Sequence, residues 1–171
     1  MGLKLNGATS GSVELDVPAD IGSDINFTLP GADGTSGQVL TTNGSGAFSF
    51  ANIFTEVDIW RLTADKQGSN SDVSANLERV DDSWSSYVGT GMSQSSGIFT
   101  FPRTGKYFVL YTAHFIHDSN DNSNLLMYVT TDNGGNWDMA AHATDGNPSG
   151  DDKAGSATSF VIVDVTNTSN V

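Results

Sequence analysis

The residues best placed to do chemistry are Asp118-Ser119-Asn120-Asp121-Asn122, which match the opening of a calcium loop, D-x-[DN]-x-[DN]. Oxygen donors at alternate positions suit a hard cation. The match then fails, with Ser123 where the loop needs glycine and Val129 where it needs a bidentate glutamate. The segment reads instead as a solvated Asx-rich turn. Asp81-Asp82 and Asp151-Asp152 are further acidic pairs. Adjacent strand residues point to opposite faces, so neither pair is a ready chelate. His114 and His117 stand three apart, and His142 is remote from both in the chain. That spacing shares a face on a helix but splits across a strand. No metal and no cofactor is expected.

Other chemistries have less footing. The chain holds no Cys, which removes disulfides, thiolate zinc sites and cysteine nucleophiles. Neither G-x-S-x-G nor the phosphate-loop pattern occurs. The chain is therefore expected not to be an enzyme. Thr130-Thr131-Asp132-Asn133-Gly134-Gly135-Asn136-Trp137 fits S/T-x-D-x-G-x-x-W, similar to the Asp-box hairpin of sialidases and other β proteins. In those folds it stabilises a turn away from the active site. The resemblance implies that Asp132 bonds the turn backbone and Trp137 packs beneath it. A sialidase would also need an arginine cluster for its carboxylate substrate. Arg61, Arg79 and Arg103 are scattered, so the motif reads as structural.

The composition says which elements carry these residues. The chain has 171 residues, 7 basic against 20 acidic, for a net charge of −13. A surface so acidic argues against nucleic acid, which needs a basic face, and against anionic membranes. No apolar run approaches the roughly 18 residues of a membrane span, so no membrane insertion is expected. Residues 1–7 lack the apolar core of a signal peptide. Apolar residues come as short β-branched and aromatic runs between Gly, Asn, Asp and Ser. The expected fold class is all-β.

The chain divides near residue 51, giving expected domains 1–51 and 52–171. In the first, Leu3 and Leu5, then Val13, Leu15 and Val17, then Ile25, Phe27 and Leu29 alternate with polar residues, followed by Val39-Leu40 and Phe48 and Phe50. Each such strand offers one apolar face, too little to build a core from one chain. Identical chains are expected to supply the rest. In the second, strands are expected over 53–62, 73–80, 84–88, 97–102, 106–116, 125–131, 137–143 and 156–165. Short strands between turn-rich loops suggest a sandwich or jelly roll. The strand 106–116 is apolar on both sides, with Tyr107, Val109, Tyr111 and Phe115 on one face and Phe108, Leu110 and Ile116 on the other. Two apolar faces need two burial partners.

Two further resemblances add to this reading. Phe27-Thr28-Leu29-Pro30 and Gly37-Gln38-Val39-Leu40-Thr41-Thr42-Asn43-Gly44-Ser45-Gly46, with the strands before them, resemble a module of bacteriophage tail fibres and other virion proteins. The segment Gly97-Ile98-Phe99-Thr100-Phe101-Pro102-Arg103-Thr104-Gly105-Lys106-Tyr107-Phe108-Val109 is similar to the strand-turn-strand of complement-type globular heads and tumour necrosis factor-like trimers. Together they imply a trimeric phage fibre at the virion surface. A short intertwined N-terminal β-stalk would bind other virion proteins, and a jelly-roll head would serve host attachment. A capsid-bound head fibre or decoration protein is one alternative, and a soluble extracellular lectin-like module another. The trimer axis is expected along Tyr107, Val109, Tyr111 and Phe115, or along their counterparts on the opposite face. Loop residues Asp118, Asn120, Asn122 and Asn147 are the candidate receptor contacts, their polar character suiting a host surface glycan. The jelly-roll pattern continues beyond 156–165, so the edge of that strand is expected to pair with further residues or a neighbouring molecule.

Overall fold

The computed structural model describes residues 3–16, 18–20, 22–67, 71–117, 122–146 and 153–169. It is all-β, with twelve strands and no helix among these residues. They separate into two compact units, Met1–Thr55 and Glu56–Val171. The division falls beyond residue 51 because strand β4 runs through Asn52.

In the first unit, β1 (Leu3–Asn6) pairs antiparallel with β2 (Ser12–Leu15). The register sets Leu3 opposite Leu15 and Leu5 opposite Val13, so four apolar side chains share one face, and all four are exposed. Strands β3 (Gln38–Thr42) and β4 (Phe48–Asn52) form a second hairpin. The Asn43-Gly44-Ser45-Gly46 segment is its turn, held by Asn43 Oδ1 accepting from the Ser45 and Ala47 N–H groups at 2.8 and 3.1 Å. Gly46 is required there: its φ is +88°, and a Cβ would lie 2.2 Å from the Asn26 carbonyl oxygen. The expected strand at 25–29 reduces to one parallel bridge between Thr28 and Ala47. Pro30, with no N–H to give, ends the pairing. Val17 lies outside the described residues.

In the second unit, β5 (Trp60–Leu62) pairs with β6 (Leu77–Arg79), and β7 (Ser93–Ser95) with β8 (Ile98–Thr100). The expected 53–62 and 73–80 strands are thus shorter than their apolar patterns suggest. The segment 84–88 contributes a turn and a single Val57–Val88 bridge rather than a strand. Strand β9 (Gly105–His117) pairs along thirteen residues with β12 (Lys153–Val165). Between them in sequence, β10 (Ser123–Val129) and β11 (Asp138–Asp145) form a hairpin that packs on one face of the β9–β12 ladder. Phe101, Val163 and Val165 centre the core, with Met92, Tyr107, Val109, Val129 and Val161 around them. No strand pairs with the other edge of β12 among the described residues.

Candidate functional site

Period-2 alternation gives the β9–β12 ladder two distinct faces. Tyr107, Val109, Tyr111 and Phe115 are half-buried and turned toward the β10–β11 side. The Tyr107 ring lies 4.6 Å from that of Phe101, and its hydroxyl donates to the Arg103 carbonyl at 3.0 Å. Burial raises the pKa of both Tyr107 and Tyr111. Of the first-named trimer-axis set, Tyr107 and Val109 pack against the chain's own core, as does Val129 of β10.

The opposite face is open. Phe108, Leu110, Ile116, Phe160 and Ile162 are between 57% and 73% exposed. Cross-strand register sets Ile162 opposite Phe108 and Phe160 opposite Leu110, and the Phe108 and Phe160 rings stand 5.9 Å apart. A Lys106–Asp164 ion pair closes one end of the patch. Toward the other end, Thr112 and Thr158 share a hydrogen bond of 3.0 Å, followed by His114 opposite Ser156. Phe108, Leu110, Phe160 and Ile162 thus adjoin one another, while Ile116 stands apart beyond the Thr112–Thr158 and His114–Ser156 pairs.

Of the candidate receptor contacts, Asp118, Asn120 and Asn147 lie outside the described residues, and Asn122 is exposed just before β10. Asp121, Asp151 and Asp152 also lie outside them. Among the described residues no three His, Cys, Asp or Glu side chains gather to hold a metal. His142 sits on the outer face of β11, its Nε2 3.0 Å from Asn124 Oδ1 and 3.0 Å from Thr144 Oγ1. Asp82 pairs instead with Arg61.

The Thr130–Trp137 turn forms as its spacing implies. Asp132 accepts from Asn136 N at 2.7 Å, Asn136 Nδ2 at 2.6 Å and Thr130 Oγ1 at 2.9 Å. Those donors hold its carboxyl below the ordinary value. Thr130 Oγ1 in turn accepts from Gly134 N at 2.8 Å. Asn133 and Gly134 have φ of +57° and +85°, and the Trp137 indole lies over Gly134. Thr130 is buried, so Thr130→Val leaves the Gly134 N–H without its acceptor. The expected loss, measured by denaturant unfolding, is about 1–3 kcal/mol; an unchanged midpoint would remove the hydroxyl from the account of this turn.

One cluster has no motif. Glu56, Asp58 and Trp60 share one side of an extended segment whose other side carries Val57 and Ile59. The polarity is inverted: the Glu56 and Asp58 side chains are 7% and 6% exposed, while Val57 and Ile59 are exposed. Asp58 receives Arg79 Nε at 2.9 Å, Trp60 Nε1 at 3.0 Å and Met92 N at 2.7 Å. The Arg79 guanidinium also lies over the Trp60 and Tyr87 rings, 4.9 and 4.6 Å from their centroids. Glu56 Oε2 accepts from Thr90 N and Gly91 N, both at 2.9 Å, while Oε1 faces Arg103 as an ion pair without hydrogen-bond geometry. Both carboxylates are engaged by the chain's own donors, an arrangement that clamps the 90–92 segment.

No family profile matches the sequence, no curated protein is significantly similar to it, and no solved structure matches the fold.

Proposed function

We propose that the chain is a non-enzymatic structural protein of a bacteriophage virion, a trimeric surface fibre whose head serves host attachment. The observation that carries the assembly is the open apolar face of the β9–β12 ladder. Apolar surface on this scale gains free energy when removed from water, about 1.5–3 kcal/mol for each large side chain fully covered. Charge points to where copies meet. The chain carries −13, so most surfaces of two copies repel. On this face the Lys106–Asp164 pair cancels, leaving a patch of no net charge.

A β10–β11 hairpin nested within a β9–β12 ladder suits a jelly-roll head. The exposed Leu3, Leu5, Val13 and Leu15 suit an N-terminal stalk completed by neighbouring chains. Trimers displayed in many copies multiply weak contacts through avidity. Sedimentation equilibrium at micromolar concentration is expected to give three times 18.0 kDa. A folded monomer at that concentration would refute the assembly. Gold-labelled antibodies against the chain are expected at the tail of intact virions; labelling of the capsid would favour the head-fibre reading, and unlabelled virions would end both.

A further inference from the structure

We infer that the pocket beside the Thr130–Trp137 turn is a binding site for a single neutral sugar unit. The pocket is open and holds about 150 Å³. It is smaller than the roughly 300–1,000 Å³ of sites for drug-sized ligands, so it admits one ring rather than an extended molecule. Ile98, Phe99, Phe101 and Val129 are the apolar residues that border it, with Phe101 buried in the core. Tyr128 and Trp137, both half-exposed aromatics, and the polar residues Asn133 and Thr168 also border it.

The chemistry of the lining selects the ligand. A pyranose presents C–H groups on its face and hydroxyls around its edge. Aromatic side chains take the first, and amide or hydroxyl groups the second. A wholly apolar ligand would cover the polar groups without pairing them, at a cost. The Asn133 amide and Tyr128 hydroxyl have no hydrogen-bond partner among the described residues. No lining side chain is charged, and the chain carries −13, which disfavours an anionic sugar. The site is also held in shape beforehand. Asn133 sits at φ +57° in a turn fixed by Thr130 and Asp132, and the Trp137 indole lies against Gly134. A backbone already fixed in this way loses little freedom on binding.

This inference deepens the attachment reading by giving the head a ligand site, and its test does not depend on assembly. Saturation-transfer NMR and tryptophan fluorescence on the full chain would use glucose, galactose, mannose and N-acetylglucosamine, with sialic acid as the anionic probe. Saturable binding of at least one neutral sugar is expected, on the order of millimolar per site, with none for sialic acid. Asn133→Gly keeps a residue suited to positive φ and is expected to weaken binding about tenfold, the worth of one hydrogen bond. Trp137→Phe is expected to weaken it while retaining an aromatic ring, with unfolding midpoints confirming that both variants fold. Absence of saturable binding by every neutral sugar, or equal affinity in both folded variants, would overturn the site. Sedimentation of the same samples separates the two readings: a trimer that binds no sugar refutes the pocket alone, and a monomer that binds sugar refutes the assembly alone.

Discussion

Leu110→Asp is expected to convert the proposed trimer to a folded monomer of 18.0 kDa without loss of β structure. Leu110 lies at the middle of the exposed face of β9, directly opposite Phe160. Its side chain is turned away from the core of its own chain, so the monomer loses little. In the assembly three carboxylates would enter a patch with no cation to meet them, since Lys106 is already paired with Asp164. An unpaired buried charge costs about 3–5 kcal/mol, enough to lower association by orders of magnitude. Sedimentation and circular dichroism on the same sample read both halves of the expectation. Salt supplies a second test. Chains of charge −13 repel, so screening should strengthen an apolar association. A variant that stays trimeric, or a native assembly that salt dissociates, would place the interface elsewhere.

That face also shows where sequence reading stops. The alternation at 106–116 is long enough to identify a strand with two apolar sides, and β9 spans it fully. Periodicity does not say which side the rest of the chain covers. That depends on where the β10–β11 hairpin packs, and its Val129 joins the Tyr107 side. The aromatic hydroxyls hold no vote at long range: Tyr107 finds its acceptor in Arg103, four residues away. Strand β7 was invisible for a different reason. Ser93-Gln94-Ser95 has no apolar pattern, and only the Ser96-Gly97 turn, with φ of +52° and +84°, pairs it with β8. The Thr130–Trp137 turn was legible because its bonds are local, within four residues in sequence. The Glu56–Asp58 cluster was not. Its partners come from Arg79, Thr90, Gly91, Met92 and Arg103, far along the chain. Its one sequence trace is acids at alternate positions in an otherwise apolar segment, a pattern that ordinarily turns the acids outward.

Asp58→Ala is expected to be the most damaging single change in the second unit. The carboxylate is almost wholly enclosed and serves three donors from separate segments, Arg79, the Trp60 indole and the Met92 N–H. Removing it leaves the Arg79 guanidinium between two aromatic rings with the Met92 carbonyl but no carboxylate to receive its donors. Breaking a buried pair from one side costs about 3–5 kcal/mol, against total stabilities of about 5–15 kcal/mol for folded domains. Glu78→Ala is the control. Glu78 also pairs with an arginine, Arg61, but both side chains are more than 40% exposed, where such pairs contribute about 0–1 kcal/mol. Denaturant unfolding should therefore separate two arginine–carboxylate pairs anchored on neighbouring strands: a large fall in midpoint for Asp58→Ala and almost none for Glu78→Ala. Equal effects would mean that the enclosed cluster is no more important to this fold than a surface ion pair.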